Sequence, residues 1–444
     1  MTAHELVLAA GGRLIDGEEI PLAERAGAVA ALLAARGFGP GDVLAVWAPN
    51  IAPWLGVALG ALAAGGTVTG LHPAASEREL RALDASVVVT LPERVAAARA
   101  AGARDVLAIG PDLLAARPVS LPAVDPGAPA LRLYSSGTTG VPKAIELTHR
   151  HVVAALRAVG DALGYERRDV VLAVAPLHHV MGFIVTGVAP LAAGATLVML
   201  PRFGFEALLA AVERHRVTVL AVPPPVMAAL ARAPIAHDLS SLELIVSGGA
   251  PLGAAVQSAV AARFPHAAVG QGYGMTETGA AICGPSRRAG TVPGSVGRPM
   301  RDTEIKLVDG ELWVRGPQVI GDGWLRTGDL ARVDGDGNVF IVDRVKDLIK
   351  VNAYAVAPAE LEALLLEHPR VADAAVVGRP DERRGEAPVA FVVGDVEPDA
   401  LRAWVADRVA PYKRLAAVHV VDALPRTPAG KLLRRQIASA QEAF

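Results

Sequence analysis

From Val43 to about Gln271, short β-branched runs alternate with Ala- and Leu-rich segments long enough for helices. The runs are VLAVW (43–47), SVVVT (86–90), VVLAV (170–174), ATLVML (195–200), VTVLAV (217–222) and ELIVS (243–247). Strands spaced by helices imply parallel pairing, because a crossover helix returns the chain to the same edge of a sheet. Between about Thr291 and Arg344 the rhythm changes to short alternating strands, EIKLV, ELWVRG and NVFIVDR, with Asp-Gly pairs at 309–310, 334–335 and 336–337. Asp-Gly favours tight hairpin turns, so this stretch reads as a small antiparallel subdomain. After Lys346 a third rhythm follows: a helix over Pro358–Glu367, strands VADAAVVG and APVAFVVG, a helix over Asp399–Ala410, and a short strand VHVVD. The predicted class is α/β. A large N-terminal domain (1–344) of parallel α/β subdomains carries the antiparallel β subdomain at about 291–344, and a small, mobile α+β C-terminal domain (345–444) follows.

The chain has 444 residues, 52% hydrophobic and 20% charged, with 45 acidic residues against 43 Lys plus Arg. That length predicts two or three domains with cores that need no disulfide or metal. The near-neutral balance supplies no global field for nucleic acid or an anionic membrane, and no motif supports either partner. Cys283 is the single cysteine, so no intramolecular disulfide can form. The start, MTAHELVLAA, lacks the basic and long apolar regions of a signal peptide, which makes a cytoplasmic location the expectation. Two uncharged stretches, Val43–Ser76 and Val170–Pro201, are interrupted by Pro, Gly, Asn and His, and are expected to be strands, loops and helices of a core rather than membrane spans.

The segment most informative about chemistry is YSSGTTGVPK, Tyr134 to Lys143. Glycines and small hydroxyl residues let backbone N–H and side-chain O–H groups surround phosphate oxygens, and Lys143 adds a positive charge. The segment departs from G-x-x-x-x-G-K-[ST], because Pro142 precedes the lysine and Ala144 follows it, so it fits the loop of an ordinary kinase or GTPase poorly. The ordinary alternative is a surface turn. It resembles the phosphate loop of the adenylate-forming enzymes, which include acyl- and aryl-CoA ligases. QGYGMTET (271–278), WLRTGDL (324–330), VDRVKDLIK (342–350) and PRTPAGKLLRR (425–435) resemble further motifs of that family, in the family's order, with the 4-coumarate–CoA ligase branch the nearest likeness.

The resemblance implies roles for particular residues. Ser135, Ser136, Gly137, Thr138, Thr139, Gly140 and Lys143 would cradle the phosphates of ATP. Gly249, Ala250 and Pro251, in SGGAP, would lie along the adenine, with Gln271, Gly272, Tyr273 and Gly274 beside the nucleotide. Thr276 would contact the α-phosphate and Glu277 would hold Mg²⁺, a role suited to a hard oxygen ligand. Asp329, read as part of a Thr-Gly-Asp turn, and Arg344 would contact the ribose. Lys346 would be the hinge, with Lys350 in the same motif. Lys431 would stabilise charge as a carboxylate attacks the α-phosphate, a contribution whose removal typically costs about 10²–10³ in rate. His179 of PLHHVMG would close the acyl pocket, beside His178 where the family often has an aromatic residue. A metal at the His178–His179 pair is disfavoured, since no Cys or carboxylate cluster accompanies it.

Departures cluster at the second step. Asn352 and Ala353 stand where the branch usually has a Lys-Gly pair facing the thiol cofactor, and Ala355 stands where Gln is frequent, while Arg202 keeps a cation suited to a CoA phosphate. The leading expectation is an ATP- and Mg²⁺-dependent ligase that activates an aromatic or medium-sized apolar carboxylic acid as acyl-AMP and transfers the acyl group to CoA. Transfer to an amine, a carrier-protein thiol or another nucleophile is the first alternative, and a non-catalytic nucleotide-binding protein the second. Oligomeric state and pathway are not legible.

Overall fold

The computed structural model describes residues 1–114, 123–135, 143–287, 290–352, 354–426 and 432–439. Two sheets form the large N-terminal part. The first runs in the order 105–108, 87–90, 43–47, 67–70, 129–135, 143–148, and is parallel except for its last pair. The second runs 268–271, 244–247, 219–222, 170–173, 196–199, 13–16, 18–20, and is parallel except for the terminal strand Glu18–Ile20. All six predicted β-branched runs are strands of these two sheets. Val43–Trp47 is buried at every position, as a continuous apolar run requires when helices cover both faces of a sheet.

Both uncharged stretches are broken up as expected. The first folds as strand Val43–Trp47, helix Ala52–Ala63 and strand Thr67–Gly70, with Pro53 in the first helical turn, where its missing N–H costs nothing. The second folds as Val170–Ala173, a π-helical turn Met181–Val188, a short helix and Thr196–Met199. Among the described residues, no helix is long and apolar enough to cross a membrane. Cys283 is buried as a free thiol, and burial pushes its pKa up.

The antiparallel sheet has four strands, Glu304–Val308, Glu311–Arg315, Leu325–Val333 and Val339–Arg344. Asp309 and Gly310 both have positive φ (51° and 79°), the turn that matches strand twist in a two-residue hairpin. The other two Asp-Gly pairs form one connection rather than two turns. Asp334 Oδ1 accepts the N–H groups of Asp336 and Asn338, and Gly337 N–H closes on the Asp334 carbonyl. Leu325–Val333 corrects the expectation of a turn at Thr327–Asp329: the segment is a strand, kinked where Gly328 takes φ 73° and bulged between Leu330 and Ala331.

The last part is an α+β unit with a five-stranded sheet. Helix Pro358–Glu367 has the expected bounds, whereas the next helix is Pro398–Ala406 and stops four residues short of Ala410, ahead of a separate turn begun by Pro411. A hairpin of Ile349–Val351 and Tyr354–Val356 was not anticipated. Its core, Val351, Leu361, Leu365, Val376 and Val392 among others, is separate from those of the large sheets.

Candidate active site

Parallel strands place their following loops on one edge, and such edges are where open α/β sheets bind ligands. In the seven-stranded sheet that edge carries Gly248–Pro251 after Leu244–Ser247, Gly272–Met275 after Ala268–Gln271, and exposed Arg202 after Thr196–Met199. Facing it is the hairpin Pro129–Ser135 and Lys143–Thr148, whose last pair is Ser135 with Lys143. Loop residues 136–142, with the predicted Ser136, Gly137, Thr138, Thr139 and Gly140, lie outside the described residues, as do Ala353 and Lys431. The Thr276–Thr278 turn packs against both strands of the hairpin, so Thr276 and Glu277 stand beside the base of the loop. Glu277 is partly exposed, and its carboxylate makes no hydrogen bond or ion pair among the described residues.

Gln271 holds the neighbouring segment in place. Its side chain is 5% exposed, accepts Leu252 N–H and donates to the Leu252 carbonyl, both at 3.3 Å, and so fixes the Gly249–Pro251 segment against the neighbouring strand. Tyr273 donates its hydroxyl to Asp329 Oδ2, and Arg344 Nε donates to Asp329 Oδ1 at 2.8 Å. Asp329 and Arg344 are direct cross-strand partners. Burial, and then the Asp329 carboxylate, hold the Tyr273 phenol well above its ordinary pKa, so it remains a donor. This trio joins the large parallel sheet to the antiparallel one, a link with no local signal at Tyr273.

On the other side of the edge, His178 and His179 follow Ala175–Leu177, a segment gripped by Asn50. The Asn50 amide donates to the Ala175 carbonyl and accepts Leu177 N–H, each at 2.9 Å, although 125 residues separate the ends of the first bond. A polar residue at the end of the buried Val43–Trp47 strand was the only signal for it. Gly182 is forced by close approach, since a Cβ there would sit 1.9 Å from the Pro176 carbonyl oxygen. The His178 ring lies 5.3 Å from that of His72 and 4.3 Å from that of His179. Burial above all, and then the neighbouring imidazoles, lower the His178 pKa to about 2, and the same causes lower that of His179. Both are therefore neutral. His178 Nε2 is buried without a hydrogen-bond partner among the described residues. Among those residues, no group of three or more His, Cys, Asp or Glu is placed to hold a metal ion.

Lys346 is exposed in the turn Val345–Asp347, and Lys350 is exposed on the strand that follows, its N–H bonded to Glu386 at 2.6 Å. A cavity of about 350 Å³ lined by Asp161, Glu166, Ser286 and Arg287 lies at the opposite edge of the sheet. There Arg287 is already engaged by Asp169 and Glu243.

The strands of the hairpin, a carboxylate unengaged among the described residues and a Tyr–Asp–Arg trio around one strand edge are the furniture of a nucleotide site. Residues 21–322 match the model of AMP-binding enzymes, and residues 360–431 match that of the AMP-binding enzyme C-terminal domain. The chain belongs to the AMP-binding enzyme family. It is 42% identical to 4-coumarate–CoA ligase 2 of Oryza sativa subsp. japonica over 71% of this chain, a match spanning 63% of that protein's length. The enzyme also superposes on the anthranilate CoA ligase AuaEII in complex with anthranoyl-AMP (TM-score 0.92, 25% identity, 100% of this chain and 98% of that one). A third similarity is to the amide bond synthetase McbA of Marinactinospora thermotolerans (TM-score 0.89, 30% identity, 98% and 99% covered). The enzyme has the adenylate-forming fold and is a ligase of that class, and the relatives differ in acceptor.

Proposed function

We propose that the enzyme uses ATP to activate an aromatic or medium-sized apolar carboxylic acid as an acyl-adenylate and transfers the acyl group to CoA. The observation that carries the reading is the Thr276–Glu277 turn set against the strands that bracket the phosphate loop, with Asp329 and Arg344 fixed across from it by Tyr273. In the first step a substrate carboxylate oxygen attacks the α-phosphorus, the bond to the β-phosphate breaks and pyrophosphate leaves. Thr276 contacts the α-phosphate, Lys143 and the Ser136–Gly140 loop hold the outer phosphates, and Lys431 stabilises the developing charge. Asp329 has lone pairs left to accept ribose hydroxyls after its bonds to Tyr273 and Arg344. Glu277, a hard oxygen ligand with no competing partner among the described residues, fits Mg²⁺, whose charge offsets that of the phosphates when bound. In the second step a thiol attacks the acyl carbonyl carbon and AMP leaves, after the C-terminal part turns about Lys346. Arg202 supports a CoA phosphate.

The acid pocket is bounded by His179, Met181 and Gly248, where a Cβ added at Gly248 would meet Met181 Cε at 3.3 Å. These contacts support a flat or slender apolar acyl body. A second reading, transfer to an amine or a carrier-protein thiol, is favoured by the hairpin turn after the hinge. There Asn352 takes φ 48° and its N–H is tied to the Arg384 carbonyl at 2.8 Å, in place of the Lys-Gly pair usual in CoA ligases.

The test is pyrophosphate release with ATP, Mg²⁺ and a panel of aromatic and aliphatic acids, with and without CoA, product masses recorded. Acyl-CoA formation is expected. Release that stops at acyl-AMP moves the acceptor to the second reading, and no acid-dependent release overturns adenylation itself.

A further inference from the structure

We infer that Asp343 is a positioning residue that locks the C-terminal part in its present orientation, by capping a helix from the opposite side of the hinge. Helix Pro358–Glu367 begins at Ala357, whose backbone has the extended geometry of a capping residue (φ −79°, ψ 114°) but whose methyl side chain cannot accept a hydrogen bond. The first N–H groups of a helix need acceptors, and a carboxylate there also meets the positive end of the helix dipole. Asp343 supplies that carboxylate from strand Val339–Arg344. Its Oδ2 accepts Ala359 N–H at 2.8 Å and its Oδ1 accepts Arg344 N–H at 2.7 Å. The residue is 6% exposed, so neither bond is diluted by water.

One side chain thus holds the backbone of Arg344, assigned above to the ribose, and the first helix beyond Lys346. Arg434 donates to both Glu362 oxygens and to the Val376 carbonyl, and stands 3.8 Å from Asp347. Within the reading above, the part beyond Lys346 must turn between half-reactions, and the Asp343 bond to Ala359 crosses the pivot. It stabilises the present orientation, and a turn about Lys346 breaks it.

The experiment separates helix capping from orientation. Asp343→Ala removes both functions, and the double variant Asp343→Ala with Ala357→Ser restores a local cap without restoring the link across the hinge. The melting temperature and amide exchange of 359–362 report the cap. Small-angle X-ray scattering reports orientation, and acid-dependent ATP–pyrophosphate exchange, with the best acid of the panel, reports adenylation. In the double variant, melting and amide protection are expected to return towards the wild-type values, while scattering stays broadened and exchange stays down about five- to tenfold, the size of one lost cap or dipole contact. Asp343→Asn, which keeps one acceptor oxygen, is expected to lose less. Scattering that matches wild type in Asp343→Ala, or exchange that recovers with melting in the double variant, overturns the inference. Wild-type protein without acid-dependent exchange overturns the proposed function instead, and the scattering comparison still decides the role of Asp343.

Discussion

Two walls of the cleft handle their buried polar groups in opposite ways. In the wall formed by Tyr273, Asp329 and Arg344, a carboxylate 5% exposed has both oxygens engaged, one by a phenol and one by a guanidinium. In the wall formed by His72, His178 and His179, three imidazoles stand within ring-contact distance, and His178 Nε2 is buried with no partner among the described residues. The first wall is wired by its own side chains. The second is held by packing and by Asn50's grip on the backbone, and burial keeps His178 and His179 neutral. Removal of a group should therefore be costly in one wall and cheap in the other.

The sharpest test of that contrast is Asp329→Ala. It leaves Arg344 and the Tyr273 hydroxyl without their partner in a largely buried place, a change that typically costs about 3–5 kcal/mol. Urea unfolding should show a loss of that size, and a loss under 1 kcal/mol would mean that solvent or another group serves Arg344 equally well.

Acid should act through the imidazoles of the fold. His149, fully buried, accepts Ala3 N–H through Nδ1 at 3.2 Å and thereby ties down the N-terminal helix. Burial first, and then His4, lower its pKa from 6.5 to about 4. The unfolded chain therefore binds the proton first. The stabilising contribution is whole above pH 6.5 and is lost as pH falls towards 4, by about 3 kcal/mol for a shift of this size. Denaturation curves between pH 7 and pH 4 in wild type and His149→Leu would reveal it, and identical slopes in the two proteins would refute the assignment.

The smallest effect, with the opposite sign, is expected for His178→Leu. An apolar side chain of similar volume removes a buried nitrogen that lacks a partner among the described residues, which should be neutral or stabilise by about 1 kcal/mol. Destabilisation approaching that of Asp329→Ala would erase the difference between the walls.

Much of this was legible beforehand, for identifiable reasons. The six β-branched runs became strands because continuous apolar segments of that length have few other ways to be buried. Asp309-Gly310 became a tight turn because few other pairs take positive φ twice. Strand Leu325–Val333 was hidden by its centre, Thr327-Gly328-Asp329, whose composition is that of a turn; pairing on both sides overrides that local preference. The helix expected to reach Ala410 ends at Ala406, since Pro411 opens a separate turn.

By itself the sequence determined the order of elements, the class of fold, the motif set that marks an adenylate-forming enzyme, and the chemical character of the residues proposed for phosphate, Mg²⁺ and ribose. These follow from periodicity and from side-chain chemistry within a few residues, both local properties. Only the tertiary structure decided which polar groups are spent on holding the site together. Gln271 on Leu252, Asn50 on Ala175 and Leu177, Tyr273 on Asp329 and Asp343 on Ala359 are bonds between segments far apart in the chain or on opposite sides of a turn. A short polar side chain has the same appearance in sequence whether it caps a helix, grips a distant strand or faces solvent. The difference lies in which backbone N–H and carbonyl groups the packed sheets leave unpaired beside it, and that is known only once the sheets are in place.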